Sequence, residues 1–164
     1  MKIAIIGAGN MGGSIARGLA KGSIIPSSDI TVANPTEGKL NALQQEFPDL
    51  QVTRSNQDAS KDAEIVILAV KPWLIKSVLQ EIKLKNKQIV VSVAAGISFE
   101  ELSHDLTEPD MTIFRLIPNT AISQQASMTL ISSRNATSSQ EQLMLSIFNE
   151  MGLAMLIPEE KLAA

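Results

Sequence analysis

Met1-Lys2-Ile3-Ala4-Ile5-Ile6, running into Gly7-Ala8-Gly9-Asn10-Met11-Gly12, is the stretch on which the reading of this chain turns. The first six residues are a short apolar run rich in β-branched side chains, which predicts a buried strand. The next six fit Gly-x-Gly-x-x-Gly. Met11, Ile15 and Leu19 then recur at helical spacing. Strand, glycine turn and helix in that order form the context in which this motif binds a dinucleotide. Gly7 lets the chain leave the strand through a turn that a Cβ would obstruct. Gly9 leaves room for a pyrophosphate to approach the backbone. Gly12 lets the helix pack closely. The free N–H groups and positive end of the helix then face the anion.

Working outward, the helix spans Asn10 to Lys21 and stops at Gly22. Ile30-Thr31-Val32-Ala33 is a second strand, ended by Asn34-Pro35, and Thr36 is placed to cap a helix reaching Phe47. Gln51 to Thr53 predicts a third strand, and the polar stretch Asn56 to Lys61 one helical turn. Glu64 to Val70 is the most apolar strand and belongs at the centre, covered on both faces. Pro72 opens a helix to Ile82. Gln88 to Ser92 is a fifth strand. Ser98 to Glu101 is a capping box, Met111 to Leu116 a sixth strand, and Met128 to Ser132 a seventh. Ser138 to Glu141 reads as a second capping box, opening a helix that Gly152 follows. Leu153 to Ile157 reads as an edge strand. The alternation predicts an α/β fold: a doubly wound, mostly parallel sheet, the Rossmann-type NAD(P)-binding architecture. Residues 1–157 form the dinucleotide-binding domain in this reading. Residues 158–164 resemble the first turns of a truncated helical domain.

Composition excludes several classes. The 164 residues carry a net charge of −3, which gives no basic surface for nucleic acid or anionic membrane. Aromatic residues are 3% with no Tyr, which leaves no base-stacking platform. There is no cysteine, hence no disulfide framework or thiol nucleophile, and with one histidine no zinc ligand set. No apolar run reaches bilayer length, and the N-terminal run breaks too early for a signal peptide, so a cytoplasmic location is expected.

Ligands of such sheets lie beyond the carboxyl ends of the strands. After the second strand, where an acid would hold a free ribose diol, stands Asn34, followed by Thr36 and Lys39. Nothing there repels a 2′-phosphate, which favours NADP, with NAD possible. The alternative is that Thr36 only caps its helix and Lys39 is a solvated lysine. After the fourth strand come Ala69-Val70-Lys71-Pro72. Lys71 is a cation at a helix start, unfavourable unless an anion is close. Ala94-Ala95-Gly96 after the fifth strand suits backbone contact with a flat ring, and Pro118-Asn119-Thr120 after the sixth adds an amide and a hydroxyl. His104 lies late in a polar helix and reads as surface. Asp58, Asp62 and Glu64 read as solvating carboxylates rather than an acid/base pair. Ser14 sits inside the first helix and is no nucleophile elbow.

Assembled, these stretches resemble the N-terminal domain of the pyrroline-5-carboxylate reductases. The likeness rests on Ile6 to Gly12, Ala69 to Pro72, Val90-Val91-Ser92 with Ala94 to Ile97, and Arg115 with Pro118-Asn119-Thr120. It implies reduction of 1-pyrroline-5-carboxylate to L-proline with NAD(P)H, the last step of proline biosynthesis. It also implies cofactor contacts at Ile6, Gly7, Ala8, Gly9, Asn10, Met11, Asn34, Thr36, Asn56, Ala69, Val70, Lys71, Pro72, Val93, Ala94 and Ala95. No catalytic residue is assigned. The chain departs from the family pattern at Ala121 and over Ser123-Gln124-Gln125-Ala126-Ser127. The resemblance implies that the family's helical C-terminal domain, which dimerises and holds most of the substrate, follows these residues in the whole enzyme. The resemblance thus implies a small-molecule substrate and a homo-oligomer for the whole enzyme, with the fragment alone inactive. The alternatives are another 6-phosphogluconate dehydrogenase-like reductase, or a non-catalytic NADP-binding module.

Overall fold

The computed structural model describes residues 1–106, 108, 110–118 and 127–162. Eight strands form one sheet in the order β3-β2-β1-β4-β5-β6-β7-β8. β1 (Ile3–Ile6) pairs parallel with β2 (Ile30–Ala33) on one side and with β4 (Ile65–Leu68) on the other. β3 (Gln51–Thr53) lies outside β2, and β5 (Ile89–Ser92) outside β4, all parallel. β6 (Ile113–Ile117) continues parallel. β7 (Ser127–Arg134) runs antiparallel to β6, and β8 (Gly152–Leu156) is parallel to β7 at the edge. The sheet is therefore mostly parallel and doubly wound, as the alternation predicts.

Every residue of β1, β4 and β5 is buried, which is what continuous apolar strands in a sheet covered on both faces require. Alternation divides them. Ile3, Ile5, Ile65 and Ile67 point into one layer with Ile15 and Leu19 of α1 (Asn10–Lys21), Leu40 and Leu43 of α2 (Glu37–Glu46), and Met144, Ile147 and Phe148 of α6 (Ser138–Asn149). Ala4, Ile6, Val66 and Leu68 point into the other. There they meet Ala59 of α3 (Asn56–Ser60), Val78 and Leu79 of α4 (Ile75–Glu81), and Phe99 and Leu102 of α5 (Phe99–Asp105). Each Val, Leu, Ile, Met or Phe among them contributes roughly 1.5–3 kcal/mol on full burial.

Several boundaries differ from expectation. β4 is shorter than Glu64 to Val70: pairing ends at Leu68, and Ala69 and Val70 leave the ladder. Pro72 opens a 3₁₀ turn, Pro72–Leu74, before α4 proper. Thr36 does precede α2, but its side chain makes no capping bond. The second capping box is built by Thr137 and Gln140, not by Ser138 and Glu141. Thr137 adopts the extended conformation of a cap (φ −79°, ψ 162°), while Ser138 is already helical. The Ser98–Glu101 box is present as expected.

Residues 159–161 form a 3₁₀ turn. The Glu159 carboxylate accepts from the Phe99 N–H at 2.8 Å and from Arg115 Nη1 at 3.0 Å, and Leu162 is buried. This segment packs onto the sheet's second layer through those contacts. No helix among the described residues is long and apolar enough to cross a membrane.

Candidate functional site: a cleft at the strand switch point

The chain winds outward from β1 through β2 to β3, then crosses back to β4 on the other side of β1. At that reversal the two connections diverge and leave a crevice beyond the carboxyl ends of the strands. A cleft of about 740 Å³ lies there. It is lined from the β1 side by Gly7, Ala8, Gly9, Asn10 and Met11, and from the β2 side by Asn34, Pro35 and Lys39. Ala69, Val70, Lys71 and Pro72 line it after β4, and Val93, Ala94 and Ala95 after β5. Asn56, at the start of α3, closes one end.

The glycines do what the turn demands. Gly7 has φ +107°, which L side chains rarely adopt, and a Cβ there would sit 2.7 Å from the Ala69 carbonyl oxygen. A Cβ on Gly12 would fall on the Gly7 carbonyl oxygen. A Cβ on Gly9 would meet nothing within 4 Å. Gly9 thus lines the cleft, and a side chain there would enter open space rather than meet the fold. It is also the cap of α1, with no side-chain capping bond and no acidic residue in the first turn. The positive end of a twelve-residue helix is left open to the cleft.

Asn34 is a strut. Its Oδ1 accepts from the Ala8 N–H at 3.0 Å, and its Nδ2 donates to the Thr36 carbonyl at 3.2 Å and Thr36 Oγ1 at 3.1 Å. A backbone N–H on one side and a carbonyl on the other fix which way the amide points. The Asn34 N–H donates to the Thr53 carbonyl at 3.2 Å, and Arg54 Nε donates to the Pro35 carbonyl at 2.9 Å. The bend after β2 is therefore held from β1 and from β3. It contains no acid up to Glu37, and Lys39 lies over the cleft.

Two predicted contacts stand outside the lining. Ile6 is fully buried beneath the turn, where its carbonyl accepts from the Ala69 N–H at 2.9 Å. Thr36 supports Asn34 from behind. Lys71 is exposed at the start of the Pro72 turn, and among the described residues it makes no ion pair. Ser92 Oγ accepts from the Ala94 N–H at 3.3 Å and shapes the turn after β5. Asn119, Thr120 and the loop from Ala121 lie outside the described residues.

The sequence reading missed the face that α4 and its opening turn present. Leu74, Ser77, Val78 and Glu81 all line the cleft. Their spacing of three, four and seven residues puts them on one face of a helix, but does not tell that this face overlies the cleft. His104 is exposed, as are Asp58, Asp62 and Glu64. Among the described residues no cluster of His, Asp or Glu could hold a metal.

Fold and cleft define the class: a Rossmann-type, dinucleotide-binding domain. Residues 2–96, more than half of the chain, match the family model described as NADP oxidoreductase, coenzyme F420-dependent. The chain is similar to the pyrroline-5-carboxylate reductase of Escherichia coli K12, 36% identical over 162 residues, covering 96% of this chain and 59% of that protein. It is also similar to the solved structure of a pyrroline-5-carboxylate reductase from Coxiella burnetii. There the TM-score is 0.87 at 30% identity, covering 99% of this chain and 60% of that one. The Plasmodium falciparum pyrroline carboxylate reductase with NADP bound shares the fold, with a TM-score of 0.87 at 24% identity over 99% and 59% of the two chains. The chain belongs to the NADP oxidoreductase, coenzyme F420-dependent family, and within it matches the N-terminal, cofactor-binding part of the pyrroline-5-carboxylate reductases. It spans from 31% to 61% of the length of curated pyrroline-5-carboxylate reductases it matches, 59% for that of Escherichia coli.

Proposed function

We propose that this chain is the cofactor half of an enzyme that reduces 1-pyrroline-5-carboxylate to L-proline with NADPH. The observation that carries the reading is the bare position at Gly9. The helix end and glycine turn form a cradle that a side chain would fill, and the carboxyl ends of β1, β2, β4 and β5 open onto it together. NADPH, when bound, supplies the hydride that reduces the imine carbon. This chain's residues would bind and orient it. The N–H groups at the start of α1 face the pyrophosphate, and the Asn34 bend with Lys39 takes the phosphorylated ribose. The backbone of Ala69 to Pro72 and of Val93 to Ala95 flanks the nicotinamide side. Lys71 adds a positive charge there, which suits a carboxylate-bearing substrate. The acid-free bend favours NADP over NAD, since an acid there would repel a 2′-phosphate. The same reading makes the whole enzyme a cytoplasmic homo-oligomer, with its substrate contacts completed by residues outside this domain.

The test is NADPH oxidation by the full reading frame in the presence of pyrroline-5-carboxylate. Oxidation that depends on the imine is the expected result. No oxidation by a folded protein that binds NADPH would point to a non-catalytic module.

A further inference from the structure

We infer that the chain carries a second site, at the sheet edge away from the cofactor cleft, that binds one free α-amino acid with a short apolar side chain. The site is a notch of about 440 Å³ where β8 stops short of β7. The last residues paired across these strands are Ile131 and Leu156, and the Ile157 N–H donates to the Ile131 carbonyl at 2.8 Å. β7 runs on to Arg134, which lies against Ile113 at the start of β6. The notch is therefore at the amino ends of the parallel strands, and the cofactor cleft at their carboxyl ends.

The backbone of Ser133 is open there. The Val90 N–H donates to the Thr112 carbonyl at 3.0 Å, so Thr112 and, two residues on, Phe114 direct their backbone groups at β5. Ser133 lies opposite Phe114, in a pair without mutual hydrogen bonds, and directs its own groups away from β6. Its N–H and C=O face the notch, and neither has a partner among the described residues. In a hydrogen-bonded antiparallel pair the two residues exchange both N–H···O bonds. A residue with both groups open is completed by a donor and an acceptor carried on one Cα, which the ammonium and carboxylate of a free amino acid supply.

The side chains suit the same charges. Arg134 lines the notch, is exposed, and makes no ion pair among the described residues, so it is free to meet the carboxylate. Glu159 spends Oε2 on both the Phe99 N–H and Arg115, which leaves Oε1 for the ammonium. Ser132 is only 3% exposed, and its hydroxyl has no hydrogen-bond partner among the described residues. Every side-chain oxygen or nitrogen sealed from solvent there has one, so this hydroxyl opens on the notch that Ser132 lines. Leu156, Ile157 and Pro158 give an apolar wall for a short side chain.

The test is an amide-resolved NMR titration of the chain with L-alanine, β-alanine, propionate and ethylamine. L-Alanine should shift the amides of Ser132 to Arg134 and of Glu159 saturably. β-Alanine carries its charges on different carbons, and propionate and ethylamine carry one charge each. All three should bind at least roughly tenfold more weakly, the scale of one hydrogen bond to a charged group. Arg134→Gln should weaken L-alanine by a similar factor and leave NADPH affinity unchanged. Absent L-alanine shifts, shifts that Arg134→Gln does not weaken, or propionate bound as tightly as L-alanine would each overturn the inference. None of these outcomes bears on the cofactor reading.

Discussion

Asn34 joins the phosphate turn to the bend that would hold the adenosine ribose. Its Oδ1 holds the Ala8 N–H and its Nδ2 holds Thr36. Ala8 therefore has no N–H to spare for a ligand, and the donors left for one are those at the start of α1. Aspartate at this position would keep the acceptor role toward Ala8. It would lose the donor toward Thr36, set a carboxylate against the Thr36 carbonyl and bring a negative charge to the cleft. Asn34→Asp should weaken NADPH binding by roughly 10- to 100-fold, because each bond to a charged group is worth about 1.5–3 kcal/mol and each 1.4 kcal/mol is tenfold. NADH, with no 2′-phosphate, should change much less. Paired titrations of both cofactors against both proteins measure this. Equal losses would mean that the residue acts through the turn alone.

Helix α6 shows how a capping signal can be read one position late. Thr137-Ser138-Ser139-Gln140-Glu141 contains two overlapping boxes, and the chain uses Thr137 with Gln140. The Thr137 hydroxyl accepts from the Gln140 N–H at 3.1 Å, and Gln140 Oε1 accepts from the Thr137 N–H at 2.8 Å. Glu141 instead accepts from the Ser133 hydroxyl at 2.7 Å, on β7. Thr137→Ala should cost about 0.5–2 kcal/mol and Ser138→Ala nearly nothing. Urea denaturation of the two variants measures the difference, and the reverse order would move the cap back to Ser138. Elsewhere the legible elements are those that two signals define. For α1 the glycine turn and Gly22 bracket an apolar stripe, and β2 lies between a polar loop and Asn34-Pro35, so their bounds agree with the structure. The cleft residues in the strand-end loops were legible for the same reason, since topology alone sends them there. The α4 face was not. Val78 is buried and reads as core, and nothing in the spacing of Leu74, Ser77 and Glu81 tells which end of the sheet they overlie.

The turn after α1 is tied to the end of α6, 127 residues further along the chain. Glu150, just past α6, accepts from the Ser23 hydroxyl at 2.6 Å, the Ser23 N–H at 2.8 Å and the Ile24 N–H at 3.1 Å. The clamp fixes the turn that follows α1. The Ser23 hydroxyl first, then the Ser23 N–H, hold its carboxyl below the usual glutamate range; burial opposes them, and the Ile24 N–H adds a smaller lowering effect. A depressed carboxyl stabilises the fold above its unfolded value and loses that contribution as pH falls through the folded one. Glu150→Gln should therefore lower Tm at neutral pH. Its deficit against the parent chain should shrink as pH drops below about 4.3, the ordinary glutamate value. A deficit that stays constant down to pH 3 would mean that the clamp acts by packing alone. The central claim concerns the other end of α1, where the open space at Gly9 belongs to a dinucleotide. It is tested most directly by calorimetric titration of NADPH and NADH into the parent chain and into Gly9→Val, with circular dichroism on both. The account predicts one saturable NADPH site in the parent chain, weaker NADH binding, and no NADPH binding in a variant that keeps its fold. Equal NADPH affinity in the folded Gly9→Val variant would contradict it.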